Sequence, residues 1–474
     1  MISLWSIMAQ QAKQIDMSFA GDERLGSAMM KGRFGYFLEC DSPRSSQSFN
    51  ASMALFKELG LAFRQQEQLQ GWLLSDRALS EQCHDPAPLA ETLAKASDKP
   101  VIMAVSGRGS DLERCKSSLA EGKATGRRDF LALSGDLSDL EDESGNKPYT
   151  DSVDILRSAR SQGKDLRLGA VVNPFKYRPE DQSLQYAKML RKIHGGAQFL
   201  VAQAGWDMKK AQELQWFLQK MNLPIAVIAR VCVFSQEEAK ALAEGYKTGI
   251  HLPIPLACLI QQDAEKSREE FIEMQLLRAA WQILGYKKLG YAAVLLSGLH
   301  KPKNWEKLLH YVEELEKLHP DYNTWLQLWS KQYGELNFVP GQDPHFLYHG
   351  LLQKNKRDFD PEEDPVQGSA LPKPAWQDRW RYWLGQKLDD PRKNAKAWDL
   401  LRRLCRLPKE RLQELRPCFY LNNQPCPKKL RWGACGNAGP DGLCENRRQP
   451  CFFHRVLHLA AHTNNYQDLE SAAD

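Results

Sequence analysis

The chain has 474 residues, of which 42% are hydrophobic and 26% are charged, a balance typical of soluble globular proteins with two or three domains. The 64 lysines and arginines nearly balance the 59 aspartates and glutamates. They form no basic block interleaved with aromatics, which argues against nucleic-acid binding. No apolar run reaches the roughly 18 residues of a membrane span, and the first residues lack a secretory signal pattern.

The cysteines point to a reducing compartment. There are 11 of them, an odd number, in a sequence without a signal pattern, so we expect a cytoplasmic location and no framework of disulfides. Five are scattered along the chain and are expected to be small buried side chains. These are Cys40, Cys83, Cys115, Cys232 and Cys258.

Eight short apolar runs divide the chain between about residues 30 and 310. They are apolar throughout rather than alternating, which is typical of strands buried on both faces. Amphipathic stretches with helical spacing lie between them, and several end in Gly or Asn. The runs are FGYFLEC (34–40), GWLLS (71–75), PVIMAVS (100–106), DFLALSG (129–135), LRLGAVV (166–172), AQFLVAQ (197–203), PIAVIARVCVF (224–234) and GYAAVLLS (290–297).

This alternation has the size and rhythm of a (β/α)8 TIM barrel. A doubly wound open sheet is the main competitor, but no GxGxxG motif follows the first predicted strand. We therefore predict an α/β protein whose barrel occupies residues 1–320.

The character of the sequence changes after the predicted barrel. Residues 336–374 are rich in Pro, Asp and Gly with little periodicity, so 321–374 are predicted to be a helical extension and a linker. A Trp-rich stretch with helical spacing begins at Trp376. Its aromatic side chains are expected to pack against the barrel rather than stack on a ligand. Residues 375–474 are predicted to combine this helical segment with a small Cys-rich, metal-binding C-terminal domain.

Four cysteines at near-regular intervals mark that C-terminal region. They are separated by eight, eight and six residues rich in Gly, Pro, Asn and Asp. Four thiols on a turn-forming backbone suit one structural zinc ion or one [4Fe–4S] cluster. The residues leave open zinc, a cluster or no metal, and Cys405 and Cys418 are spare candidates. The four predicted ligands are Cys426, Cys435, Cys444 and Cys451.

Polar residues stand at the C-terminal ends of the predicted strands. In a parallel barrel these ends form one mouth, where catalytic and binding side chains gather. Two carboxylates there can act as acid and base if their surroundings separate their pKa values. Alternatively, such residues only cap strands and helices, and Asp136 is a candidate N-cap for the segment after it. The set is Glu39, Ser106, Asp136, Asn173, Gln203 and Arg230.

Several motifs resemble those of methylenetetrahydrofolate reductases. FLECDSPR resembles the family's first-strand F-E-x-x-P-P-R, and FLALSGD is similar to its A-L-R-G-D or A-L-T-G-D strand end. LRLGAVVNPFKYRPEDQSLQYAKMLRKIHGGAQFLVAQAGWD resembles the middle of the family, with a helix closing on RK and a strand ending in Gln. These matches lie in the family's order over roughly residues 30–310. The tail CPKKLRWGACGNAGPDGLCE, followed by PC, resembles the Cys-rich C-terminal domain of one branch.

The resemblance implies a flavin-dependent oxidoreductase of one-carbon metabolism and methionine biosynthesis, with FAD lying across the barrel mouth. NADH or NADPH would reduce the flavin, and the flavin would pass hydride to 5,10-methylenetetrahydrofolate to give 5-methyltetrahydrofolate. Glu39 matches the family's acid, Asp136 the catalytic aspartate near pterin and flavin, and Gln203 the glutamine that binds the pterin. The positions that would contact FAD are Gly135, Asp136, Asn173, Arg191 and Lys192.

Two features of the predicted FAD contacts bear on how they would work. Arg191 and Lys192 suit a pyrophosphate, because guanidinium and ammonium groups bind phosphate oxygens. The chain also departs from the family pattern, since Asn173 stands where a tyrosine contacts flavin and Ala202 where a threonine precedes the glutamine.

Two other functions fit the same residues. One is a folate-binding barrel in a methyl-transfer or demethylation pathway, and the other is a non-catalytic electron-transfer subunit. The resemblance implies a folate substrate, and similar tails occur in reductases that work with ferredoxin-type donors, so an electron-transfer protein is a candidate partner. Assembly into a homo-oligomer is left open, and neither nucleic acid nor a membrane is expected as a partner.

Overall fold

The computed structural model describes residues 34–78, 80–137, 148–243, 250, 252–340, 343–358, 371–390, 392, 396–446 and 449–471. The first 33 residues, residues 138–147 and the Asp- and Pro-rich part of the predicted linker, 359–370, lie outside these ranges.

Eight parallel strands close into a barrel in the order β1 to β8, which confirms the predicted (β/α)8 fold. Each predicted apolar run overlaps one strand, and β1 closes the ring by pairing with β8. The strands are β1 (Gly35–Asp41), β2 (Leu69–Ser75), β3 (Val101–Ser106), β4 (Asp129–Leu133), β5 (Arg167–Val172), β6 (Phe199–Ala202), β7 (Ala226–Cys232) and β8 (Ala293–Ser297).

The strands are apolar throughout because both of their faces are buried. One set of side chains fills the barrel interior, including Phe37, Leu131 and Phe199. The other set packs outward under the helices in the main core, including Leu38 and Phe130. This two-sided burial explains why the sequence pattern is a continuous apolar run rather than an alternation.

Helices surround the barrel, and many begin at a side-chain oxygen that accepts a first-turn N–H, as Asp151 and Asp207 do. They are α1 (Phe49–Phe63), α2 (Pro86–Ser97), α3 (Leu112–Ala124), α4 (Ser152–Gln162), α5 (Pro179–His194), α6 (Met208–Lys220), α7 (Gln236–Ala243), α8 (Ile254–Ala264), α9 (Arg268–Lys288) and α10 (Pro302–Leu318). Within the described ranges, none of the helices has the length and apolar character needed to cross a membrane.

After the barrel come α11 (Tyr322–Tyr333), α12 (Trp376–Leu388), α13 (Lys396–Leu404), α14 (Lys409–Leu415) and α15 (Phe452–Thr463), with 3-10 turns at Arg416–Cys418 and Tyr466–Leu469. Residues 343–358, within the predicted linker, lie against α6. There the Leu347 amide donates to Glu213 at 2.6 Å, and Lys210 donates to the His345 carbonyl at 2.7 Å.

The C-terminal region has its own small core, and that core is continuous with the barrel. Leu184 and Ala187 of α5 pack in one cluster with Phe419, Leu430 and Leu457 of the C-terminal region. The region therefore docks on the outer face of α5 through apolar contacts as well as the polar contacts described below.

The prediction that the Trp-rich stretch packs against the barrel is wrong for three of its tryptophans. Trp376, Trp380 and Trp383 are 67%, 54% and 53% exposed. They lie on one side of α12, because positions i, i+4 and i+7 share a helical face. The opposite side of α12, which includes Tyr382 and Leu388, is the buried one.

Candidate active site at the barrel mouth

A cavity of about 170 Å³ opens at the C-terminal ends of the strands. All six polar residues predicted from the strand ends line it: Glu39, Ser106, Asp136, Asn173, Gln203 and Arg230. The regular geometry of a parallel barrel accounts for this meeting, since every strand end points to the same face.

Glu39 is the carboxylate at the β1 side of the cavity, and it is 9% exposed. Its Oε2 accepts hydrogen bonds from Arg230 Nε at 2.8 Å and from the Ser297 hydroxyl. Burial acts to lower the pKa of the Arg230 guanidinium, but Glu39, Cys232 and Asp41 together outweigh burial and raise it. The two side chains therefore form a charged pair inside the mouth.

Gln203 follows β6 and belongs to the same network. Its Oε1 accepts from Arg230 at 3.3 Å and from the Ala204 amide at 3.0 Å. Its NH2 group makes no hydrogen bond within the described part of the chain, so its two N–H bonds remain to donate to a ligand. Arg230 thus fixes both the carboxylate of Glu39 and the amide of Gln203.

Gly135 and Asp136 follow β4 on the other side of the cavity. Gly135 has φ +79, and a Cβ there would lie 2.5 Å from the Arg108 Cβ, so only glycine fits. Asp136 lines the cavity, and its Oδ1 accepts a hydrogen bond from the Asn437 side chain at 2.7 Å.

Residues 428–446, which we call the mouth segment, cover this second side. Lys428 donates to the Gly135 carbonyl at 2.6 Å and Asn173 donates to the Gly436 carbonyl at 3.0 Å. Cys435 and Asn437 form part of the cavity wall. The C-terminal region is therefore a structural part of the barrel mouth.

The two cations predicted to hold a pyrophosphate take different places. Lys192 lines the cavity, where its ammonium donates to the Val171 carbonyl at 2.6 Å and burial lowers its pKa to about 7. Arg191 is 1% exposed and lies behind the cavity wall. It donates to the carbonyls of Ser471, at 3.0 Å, and Asp468, and burial lowers its pKa to about 10.

Some cavity residues were not predicted as site residues. Asp76 and Arg77 follow β2 and line the cavity, and the charged Asp-Arg pair directly after LLS is a signal that could have found them. Asp76 accepts from the Ser106 amide at 2.9 Å, which ties the ends of β2 and β3 together. Asn437 had no such signal, and Cys435 was predicted only as a metal ligand, because nothing in the sequence places residues so far along the chain at the mouth.

The four C-terminal cysteines are free thiols. Burial, aided by the neighbouring Cys435 thiol, raises the pKa of Cys426 to about 12 and that of Cys451 well above the usual value. In the described part of the chain no three His, Cys, Asp or Glu side chains come together as a group that could hold a metal ion. The metal site at Cys426, Cys435, Cys444 and Cys451 stays a prediction.

The family model for methylenetetrahydrofolate reductase matches residues 28–275, slightly more than half of the chain. The chain belongs to the methylenetetrahydrofolate reductase family. The matched segment begins just before β1, ends within α9 and contains Glu39, Asp136 and Gln203. No curated protein matches the chain in sequence.

Solved structures resemble the barrel at low similarity. An uncharacterized protein from Clostridium thermocellum that binds two copies of 5-methyl-5,6,7,8-tetrahydrofolic acid is 12% identical, with a TM-score of 0.46, over 62% of this chain and 99% of its own. A putative phosphonomutase from Burkholderia cenocepacia J2315 is 13% identical, with a TM-score of 0.33, over 62% of this chain and 96% of its own. Membership of the reductase family rests on the sequence match.

FAD, the cofactor implied by the resemblance, does not fit the mouth with the mouth segment docked. A pyrophosphate needs N–H donors directed at its oxygens. Arg191 already donates to carbonyls of the chain itself and lies outside the cavity, and Lys192 donates to Val171. Asn173 and Asp136 likewise bond to the mouth segment.

Proposed function

We propose that the chain is an oxidoreductase that interconverts 5,10-methylenetetrahydrofolate and 5-methyltetrahydrofolate at the barrel mouth. Family membership supports a folate-related redox reaction. The observation that carries the proposal is the network in which Arg230 joins the Glu39 carboxylate to the Gln203 amide in the cavity. The reaction needs a hydride at the methylene carbon and a proton at the folate nitrogen released from it, and NADH or NADPH is the proposed source of the hydride.

Glu39 is the proposed proton carrier. Arg230 and Ser297 both bond to its Oε2 and so hold the carboxyl group in place at the cavity wall. In the reducing direction it would first gain that proton and then deliver it to the nitrogen that leaves the methylene carbon. In the oxidising direction the same carboxylate would act as the base.

Gln203 and Asp136 are the proposed binding groups for the pterin. The NH2 group of Gln203 can donate to a heterocycle acceptor while Arg230 holds the amide oxygen. Asp136 lies on the opposite side of the cavity and can accept from the exocyclic N–H groups of a pterin. Two such contacts from different strands would fix the ring's orientation in the mouth.

An anaerobic assay of the purified full chain tests this proposal. NADH or NADPH is supplied with 5,10-methylenetetrahydrofolate, with and without added FAD, and 5-methyltetrahydrofolate is measured by chromatography. We expect product formation that depends on the nicotinamide. Absence of product with both donors, in samples that bind the folate, would refute the redox reaction.

A second function, a flavin-free folate barrel in a methyl-transfer or demethylation pathway, is favoured by one observation. The groups predicted to bind a pyrophosphate are engaged by the chain itself. This function predicts a purified protein that has no flavin absorbance, binds 5-methyltetrahydrofolate and leaves NADH and NADPH unoxidised.

The metal of the C-terminal cysteines is tested separately. Elemental analysis of protein purified without oxygen should find one zinc, or four irons with acid-labile sulfide, per chain. Protein that contains neither, and in which Cys426 and its three companions all react with a thiol reagent after unfolding, would show that these residues bind no metal.

A further inference from the structure

One face of α5 is occupied along its length by the C-terminal region. His454 meets Asp181 at 2.7 Å, near the start of the helix. Further along, four polar side chains of α5 each donate or bond to a main-chain carbonyl of the C-terminal region. They are Gln185 to Ala434, Lys188 to Gly433, Arg191 to Ser471 and Asp468, and His194 to Glu470.

The spacing of these residues makes the face a single docking surface. Positions 181, 185, 188, 191 and 194 are three or four apart, so they lie on one side of the helix. α5 supplies the N–H donors of Lys188 and Arg191, and the C-terminal region supplies carbonyl oxygens. Oxygen acceptors are also what a pyrophosphate would present to the same donors.

Trp432 anchors the mouth segment at this surface and is 1% exposed. Its indole N–H donates to Asp154 of α4 at 2.8 Å, and its amide donates to Asp151 at 3.3 Å. The Arg191 guanidinium lies 5.5 Å from the centre of its ring, within range of a cation–π contact. Arg431 forms a bidentate ion pair with Asp154, at 2.7 and 3.3 Å.

Burial shows that these contacts leave no room for a second ligand. The side chains of Lys188 and Asp151 are each 2% exposed, and Arg191 is 1% exposed. A pyrophosphate could reach Lys188 only if the mouth segment moved away. It could reach Arg191 only if the carbonyls of Asp468 and Ser471 moved as well. The structure therefore conflicts with FAD binding at the residues where the family resemblance expects it.

We propose that the mouth segment and FAD exclude one another, because they compete for Lys188 of α5 and for Asp136 and Asn173 at the ends of β4 and β5. The docked segment closes the cofactor half of the mouth, and FAD enters only when the segment leaves. This inference takes FAD from the family resemblance and goes beyond the proposed function; folate binding at the Glu39 side does not depend on it.

The test measures FAD affinity in the full chain by quenching of flavin fluorescence. Trp432→Ala removes the indole that anchors the segment, and Asp154→Ala removes both the acceptor of that indole and the partner of Arg431. Neither residue lines the cavity. Trp380→Ala, at an exposed tryptophan of the same C-terminal region, is the matched control. Limited proteolysis reports whether the mouth segment is released while the barrel stays folded.

Both undocked variants should bind FAD at least tenfold more tightly than the wild type, and Trp380→Ala should match the wild type. Adding Asn173→Ala to Asp154→Ala should reduce the gain, because the Asn173 side chain, which donates to the Gly436 carbonyl of the docked segment, would then donate to FAD instead. Wild-type affinity equal to that of the released variants would overturn the proposal. Released variants that bind no FAD would overturn it as well.

The same samples are titrated with 5-methyltetrahydrofolate to separate the two proposals. Unchanged FAD affinity with intact folate binding would overturn the exclusion alone. Absent folate binding, together with the predicted gain in FAD affinity, would overturn the proposed function alone.

Discussion

The two sides of the barrel mouth are built differently. On one side, Glu39, Gln203 and Arg230 come from β1, β6 and β7, and they bond to one another and to Ser297 at the end of β8. On the other, Asp136 and Asn173 follow β4 and β5 and bond to residues of the mouth segment. The first side is complete within the barrel, whereas the second is completed by chain more than 250 residues further on.

This difference shows which of the residue roles implied by the family resemblance agree with the contacts in the structure. Glu39, assigned to proton transfer, and Gln203, assigned to the pterin, lie where the barrel geometry alone puts them. The groups assigned to FAD keep the family's residue types except at Asn173, but their hydrogen bonds go to the mouth segment and other parts of the chain itself. Matching residues therefore support the same chemistry only where their bonding partners also match.

The largest expected effect lies on the barrel side of the mouth. Glu39→Gln removes the proton carrier but keeps the size of the side chain, so folate turnover should fall by about 100-fold to 10,000-fold. Turnover is measured with the anaerobic assay, and folate affinity by calorimetry, which should change little. Glu58→Gln, at an exposed residue of α1, is the control. Glu39→Gln turnover close to that of the wild type would remove the assigned role.

The next effect concerns the pair that holds this side together. Arg230→Met leaves the carboxylate of Glu39 in the mouth without its cation, and we expect a loss of about 3 kcal/mol in the free energy of unfolding. Urea denaturation measures it. Arg230→Lys should recover part of the loss by restoring the charge, while Arg379→Met, at an exposed residue of α12, should have no effect. An unchanged stability of Arg230→Met would mean that the pair does not organise the mouth.

A smaller effect is expected on the covered side, at Lys192. Burial lowers its pKa to about 7, while a lysine of the unfolded chain titrates near about 10.4. Between these values the unfolded state binds more protons, so Lys192 makes the folded state more stable as pH rises, by about 1 kcal/mol per pH unit. Urea denaturation of wild type and Lys192→Met from pH 7 to 10 should show this difference in slope. Parallel curves would contradict the burial of the ammonium group.

The smallest effect tests which parts of the C-terminal region are in contact with the rest of the chain. Trp380→Ser should change the free energy of unfolding by less than about 0.5 kcal/mol, because the side chain is 54% exposed. Trp325→Ala, at a fully buried tryptophan of α11, should cost about 3–5 kcal/mol. Equal losses in the two variants would restore the expectation that the Trp-rich stretch packs against the barrel.

The barrel and its mouth residues could be predicted because their signals are local in sequence. A run such as VIMAVS shows a strand buried on both faces, and the position of Glu39 or Gln203 at a strand end sets its place in a parallel barrel. The resemblance to the family then named the three residues of the proposed chemistry.

Docking of the mouth segment could not be predicted, because most of its contacts use main-chain carbonyls. Asn173 donates to the Gly436 carbonyl and Lys188 to that of Gly433, and such acceptors leave no trace in residue identity. The exposure of Trp380 could not be predicted either, since the helical spacing of aromatic residues does not show which side of the helix is buried. The Glu39–Arg230 pair joins residues that are 191 positions apart in the sequence. Their contact forms only when the barrel closes, so the sequence does not show it.

Titration with 5-methyltetrahydrofolate compares the two sides of the mouth most directly. Gln203→Ala removes a ligand donor on the barrel side and should weaken binding about tenfold, the free energy of one hydrogen bond. Lys176→Met changes a residue that contacts the mouth segment through the Ala438 carbonyl and does not line the cavity; it should leave binding within about twofold. Wild-type affinity in Gln203→Ala, or an equal loss in Lys176→Met, would contradict a folate site on the barrel side of the mouth.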